Sequence, residues 1–151
     1  MLVHHQPILI VEDSPEDFHA TVRALTKAGL VNPIYHCDDG DEALDFLYQR
    51  GAYADAAKAP RPGIILLDLN LPGTDGREVL SVVKADPNLK SLPVIILSTS
   101  SDERDIAACY QAGANTYITK PVDIGGFFKA VQRLQEFWIE LAVYPKSESL
   151  P

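Results

Sequence analysis

Cysteine is scarce in this sequence: Cys37 and Cys109 are the only two, too few for a disulfide framework and in keeping with a reducing cytoplasm. Long apolar runs are missing as well, and none approaches the roughly 20 residues that a membrane span needs. Met1 to Pro7 lacks the charged-then-apolar order of a signal peptide. Basic residues are few, 13 Lys plus Arg against 21 Asp plus Glu, for a formal net charge of −8. A nucleic-acid binder ordinarily presents a basic face, so that class is disfavoured. There is no internal repeat and no low-complexity tract. What remains is a chain of 151 residues, 46% hydrophobic and 23% charged, with the size and balance of one globular domain. Its acid excess suits a site that gathers carboxylates around a cation.

Short apolar runs alternate with amphipathic stretches. Ile8-Leu9-Ile10-Val11 runs into Glu12-Asp13, Ile64-Ile65-Leu66-Leu67 into Asp68, and Val94-Ile95-Ile96-Leu97 into Ser98. Continuous runs of this kind suit parallel strands buried on both faces. Ile34 to Cys37 and Thr116 to Thr119 are weaker strand candidates. Between them lie helices. Ser14-Pro15-Glu16-Asp17 opens the first as an N-cap followed by proline, and Gly29 closes it. Asp39 to Glu42 opens a second as a capping box. Arg77 to Lys84 is a third, Ser100 with Glu103 a capping box for a fourth that stops at Gly113, and Ile124 to about Leu141 a fifth. Strands alternating with helices imply an α/β fold with right-handed crossovers and a parallel sheet. Arg50 to Gly63 reads as a loop insertion on one rim. Residues 1–151 are expected to form a single domain, with a core of about 6–141 and a tail of 142–151.

In a doubly wound sheet, ligands bind outside the carboxyl ends of the strands. Here those ends carry Glu12-Asp13, Asp68, Ser98 and Thr119-Lys120-Pro121. Each acid alone is the usual helix cap or solvated turn residue. Together they place three acids, a hydroxyl and a lysine on one edge. Two carboxylates about 4 Å apart repel by about 4 kcal/mol at an effective dielectric near 20, and a hard divalent ion offsets that. Mg²⁺ suits carboxylate, carbonyl and water ligands. Neither a cysteine nor a histidine is expected beside the cluster, which disfavours zinc.

Four motifs now carry a resemblance: Val11-Glu12-Asp13-Ser14, Leu67-Asp68-Leu69-Asn70-Leu71-Pro72-Gly73-Thr74-Asp75-Gly76, Ile96-Leu97-Ser98-Thr99 and Tyr117-Ile118-Thr119-Lys120-Pro121. In order and spacing the chain resembles the CheY-like receiver domain of two-component response regulators over nearly its whole length. The resemblance implies a flavodoxin-like (βα)5 fold with strand order 2-1-3-4-5. It makes Asp68 the phosphate acceptor and Asp13 a metal ligand. Asn70 contributes a backbone carbonyl, and Glu12 acts mainly through metal-bound water. Lys120 pairs with a phosphoryl oxygen, Ser98 supplies the switch hydroxyl, and Tyr117 holds the aromatic switch position. From spacing alone Tyr117 reads rather as an ordinary packing aromatic. The implied donor is a phosphohistidine on a sensor histidine kinase, with Mg²⁺ as cofactor.

The family pattern implies a cis bond before Pro121, although most X-Pro bonds are trans. The chain departs from the family at Val122, where many members carry an aromatic, and at Thr99, where alanine is common. Thr99 is expected to narrow access to the phosphoryl group. The Gly76 to Leu80 run, the long loop and Glu136-Phe137-Trp138 resemble, more narrowly, the stand-alone regulators paired with bacterial and cyanobacterial phytochromes.

The last helix is unusually apolar. Phe127, Val131, Leu134, Trp138 and Leu141 form one stripe at helical spacing. Phe128, Phe137, Trp138 and Ile139, continued by Val143 to Pro145, are read as a homodimer surface. The expected function is a phosphorylatable signalling module rather than an enzyme with turnover on a foreign substrate. An aspartyl-phosphate hydrolase would want a second aspartate where Asn70 stands. A flavin module would want a glycine- and hydroxyl-rich loop where Glu12-Asp13-Ser14-Pro15 stands. A scaffold without phosphorylation would not need Asp13, Asp68, Ser98 and Lys120 together.

Overall fold

The computed structural model describes residues 6–141 and 143. Five parallel strands form one sheet: β1 (Ile8–Val11), β2 (Ile34–Cys37), β3 (Ile64–Leu67), β4 (Val94–Ser98) and β5 (Thr116–Thr119), in the order β2-β1-β3-β4-β5. This is the expected doubly wound arrangement. The helices are α1 (Pro15–Lys27), α2 (Gly40–Tyr48), α3 (Gly76–Ala85), α4 (Glu103–Gln111) and α5 (Ile124–Leu134).

Burial explains the strand sequences. Every residue of β1, β3 and β4 is buried, because each strand has neighbours on both sides and helices on both faces. Alternate residues divide between two cores. Leu9, Val11, Ile65, Leu67 and Ile96 face one way with Phe46, Val79, Leu80 and Val83. Ile8, Ile10, Ile64, Leu66 and Ile95 face the other with Leu25, Phe127, Val131 and Leu134. The edge strands β2 and β5 are only partly buried, which is why their sequences are weaker. The insertion after α2 carries a short 3-10 turn, Gly51–Tyr53. It rejoins the sheet at the amino end, where the Gly63 amide donates to the Pro7 carbonyl.

Three expectations need correction. The N-cap of α4 is Asp102, whose side chain accepts from the Arg104 amide, and not Ser100. The Ser100 hydroxyl donates to Asp105 Oδ2 at 2.8 Å instead, so the stronger charged acceptor takes the cap. The last helix changes character after Leu134, and Gln135–Leu141 is π-helical. Its i→i+5 bonds widen the turn, so the periodicity of 3.6 fails there. As a result Ile139, only 4% exposed, joins the core while Phe137 is 52% exposed. Ile139 packs in its own chain and is unavailable to a partner. The side chain of Leu141 and residues 144–145 lie outside the described residues. Finally, no peptide bond is cis among the described residues, and the Lys120–Pro121 bond is trans.

Candidate functional site

The sheet's hydrogen-bond ladder continues one step beyond the strands, and this step positions the site. The Glu12 amide donates to the Cys37 carbonyl at 3.0 Å, Asp68 to Val11 at 3.0 Å and Lys120 to Ser98 at 2.6 Å. These backbones are therefore held as firmly as the strands themselves. Gly76 allows the next element to close in. A Cβ there would lie 2.1 Å from the Asp68 carbonyl oxygen, so only glycine lets α3 start against the back of Asp68. The Gly76 amide donates to the Leu69 carbonyl at 2.9 Å.

Glu12, Asp13 and Asp68 each offer an oxygen within 4.8 Å of the others'. Glu12 and Asp68 are buried, and Asp13 is exposed. Lys120 reaches in from the fifth strand's end. Its Nζ lies 2.5 Å from Glu12 Oε1, 3.0 Å from Asp17 Oδ2 and 3.5 Å from Asp68 Oδ2. Burial pushes the Glu12 carboxyl up to about 7, with the Lys120 hydrogen bond opposing and the Asp68 charge adding. Burial works to lower the Lys120 ammonium, but its bond to Glu12 and the charges of Asp68 and Glu12 outweigh that and hold it above its ordinary value. The donor set is all oxygen, so it fits a hard divalent cation such as Mg²⁺ or Mn²⁺. Asn70 is exposed beside the cluster, its amide 3.4 Å from Asp68 Oδ1.

The two switch candidates meet through a third residue. Ser98 is fully buried, and its Oγ accepts from the Ser100 amide at 3.1 Å. Tyr117, half-buried, donates its hydroxyl to the Ser100 carbonyl at 2.8 Å. Asp105, which receives the Ser100 hydroxyl, is itself paired with Arg77 at 3.1 Å. Ser100 thus links β4, β5, α4 and α3. Thr99 stands exposed beside it.

Sequence reasoning placed Glu12, Asp13, Asp68 and Lys120 at one edge, and they meet there. It missed Asp17, whose only signal is its place in the first turn of a capped helix that follows Glu12-Asp13. It also missed Ser100 as the link between Ser98 and Tyr117. The expectation that no histidine lies beside the cluster does not hold. His36 Nε2 is 2.8 Å from the Glu12 carbonyl oxygen, and its ring stacks on Phe18 at 3.7 Å. It is not among the clustered ligand oxygens.

A family model described as "Response regulator receiver domain" matches residues 8–132. Response regulator Rcp1 of Synechocystis sp. is 42% identical over 138 residues, covering 91% of this chain and 92% of that protein. The crystal structure of its Mn²⁺-bound form superposes with a TM-score of 0.88 over 93% of this chain and 99% of that one. The phosphorylated cyanobacterial phytochrome response regulator RcpA gives 0.88 at 43% identity, covering 94% and 99%. The bacteriophytochrome response regulator AtBRR gives 0.73 at 42% identity, covering 93% and 100%. No helix among the described residues is long and apolar enough to cross a membrane. The chain belongs to the response regulator receiver domain family, as a phospho-accepting module.

Proposed function

We propose that Asp68 accepts the phosphoryl group, that the donor is the phosphohistidine of a phytochrome-type sensor histidine kinase, and that Mg²⁺ is the working cation. The observation that carries this reading is the ammonium of Lys120 standing 3.5 Å from Asp68 Oδ2 beside the cluster of carboxylate oxygens of Glu12, Asp13 and Asp68. An ionised carboxylate attacks phosphorus without a general base. The Asp68 oxygen forms the new P–O bond while the P–N bond of the donor breaks, and the leaving imidazole nitrogen takes its proton from solvent. Lys120 turns an N–H to a phosphoryl oxygen and offsets the charge. Asp13, Asp68, the Asn70 carbonyl and Glu12 through water would hold the cation, which supplies further charge neutralisation when bound.

The acyl phosphate brings three strong acceptor oxygens to the edge. The Ser98 hydroxyl turns to one of them, and its bond with Ser100 passes the movement to Tyr117 and α4. The phytochrome pairing is supported by the full-length likeness to RcpA and AtBRR, regulators named for phytochromes. We further read the carboxyl-terminal face as a homodimer surface. Phe137 is exposed there, Phe128 and Trp138 are half-buried, and Ile118, Leu134, Phe137 and Trp138 line a groove of about 300 Å³.

Intact-mass analysis with beryllofluoride or acetyl phosphate tests the chemistry. One adduct is expected with Mg²⁺, none with a chelator, and none in Asp68→Asn. An adduct in Asp68→Asn overturns the assignment. Phosphotransfer from a phytochrome histidine kinase should be faster than from unrelated sensor kinases, and equal rates discard the pairing.

A further inference from the structure

We infer that Asp17 is a positioning residue for Lys120, holding its ammonium at the phosphoryl position when a divalent cation occupies the acidic cluster. The inference rests on the reading of Asp68 as phosphoacceptor and adds a residue to it.

The local geometry frees Asp17 for this task. Asp17 is the third residue of α1, where an acid ordinarily bonds back to the amide of the N-cap. Here that amide is already taken, since Ser14 donates to Glu12 Oε2 at 3.2 Å. Asp17 is instead pinned through its backbone. Its amide donates to Ser14 Oγ at 3.2 Å, and its carbonyl accepts from the buried Thr21 hydroxyl at 2.8 Å. The side chain then points across to the fifth strand's end and accepts from Lys120 Nζ at 3.0 Å.

The charges say why a third acid is useful. Lysine has three N–H donors and no acceptor, and here the ammonium faces Glu12, Asp17 and Asp68. Two of those three, Glu12 and Asp68, also belong to the oxygen cluster that fits a cation. With that cluster loaded, Glu12 and Asp68 divide their lone pairs between the cation and the ammonium, and the two positive charges repel. Asp17 is the partner of Lys120 outside the cluster. Its charge therefore opposes the repulsion, and with Glu12 and Asp17 each taking one N–H, the third, on the Asp68 side, remains for a phosphoryl oxygen. Asp17 touches neither the acceptor oxygen nor the phosphoryl group in this scheme, so its role is to place Lys120.

Amine labelling of the intact protein read by mass spectrometry tests this without phosphoryl chemistry. In the parent, Lys120 should stay protected with and without Mg²⁺. In Asp17→Ala, Mg²⁺ should raise Lys120 labelling several-fold, and Asp17→Asn, which keeps an acceptor, should fall between. Beryllofluoride affinity in Mg²⁺ should weaken about tenfold in Asp17→Ala, the size of one charge-assisted hydrogen bond. Glu16→Gln removes a neighbouring first-turn acid that does not bond Lys120, and it should leave both readouts at the parent level. Equal Lys120 labelling in parent and Asp17→Ala at every Mg²⁺ concentration overturns the inference. So does a Glu16→Gln effect matching that of Asp17→Ala, which would reduce Asp17 to a helix-dipole acid. Failure of the parent to take up beryllofluoride would instead strike the phosphoacceptor reading and leave the labelling result standing.

Discussion

At the scale of single residues, Glu12 is the most consequential group after Asp68, because it has three roles at once. One oxygen takes Lys120, the other takes the Ser14 amide, and the carboxylate belongs to the metal-ready cluster. Burial lifts its pKa from 4.5 to about 7. The sign of the linkage follows. Below about 4.5 both folded and unfolded chains carry the proton. Between 4.5 and about 7 the unfolded chain has lost a proton that the folded chain keeps, so stability falls as pH rises. Above that window the loss is complete. Cation binding needs the carboxylate form, so cation affinity rises through the same window. In chelator, Glu12→Gln should flatten the decline in urea midpoint between about pH 5 and about pH 7 relative to the parent. Parallel curves for the two proteins would place the titration elsewhere. The same substitution should remove most of the pH dependence of Mg²⁺ affinity measured by calorimetry.

At the scale of elements, the molecule divides into a firm centre and a loosely held side. In α3 four residues are buried, Gly76, Val79, Leu80 and Val83. In α4 only Cys109 is buried, and β5 has no buried residue. The bonds that tie α4 down include the Arg77–Asp105 pair, the Ser100 hydroxyl on Asp105 and the Tyr110 hydroxyl, which accepts from the Tyr117 amide at 3.0 Å. The bonds to Asp105 lower its carboxyl, Ser100 first and Arg77 next. Elements with few buried apolar contacts open at low free energy. Amides of α4 and β5 should therefore exchange faster than those of β1, β3 and β4. Arg77→Ala should speed α4 exchange about threefold, in keeping with a partly exposed ion pair, and unchanged exchange would show that the pair does not hold the helix. The same division decides what the sequence reveals. The runs in β1, β3 and β4 are unbroken because both of their faces are covered, and the site acids are visible because strand ends fix their place. Asp17 is hidden because its partner depends on Glu12 having taken the Ser14 amide, a competition that spacing does not encode. The cap of α4 is hidden for a similar reason, with Ser100 and Asp102 rivals two residues apart. The π-helical turn is hidden because the side-chain pattern of 135–141 remains compatible with an α-helix.

At the scale of the whole molecule, two copies that meet at the carboxyl-terminal face bring two chains of net charge −8 together. That repulsion acts at long range, while the attraction of Phe137 and its neighbours acts only at contact. The two respond oppositely to salt. Raising NaCl from about 20 mM to about 300 mM shortens the screening length several-fold and weakens the repulsion, leaving the apolar contact intact. The dimer fraction measured by light scattering should therefore rise with salt, whereas an interface built on opposite charges would weaken. Phe137 is the residue to remove, because at 52% exposure it contributes little to its own core. Trp138 is a poorer probe, since it packs against the core that contains Phe127 and Val131, and its loss would disturb fold and association together. Phe137→Ala should be monomeric at every salt concentration, with a melting temperature that no longer depends on protein concentration. A parent that stays monomeric in high salt, or a Phe137→Ala variant that still dimerises, would remove this face from the account. Neither result would touch the acidic site, because the cluster and the carboxyl-terminal groove share no residue.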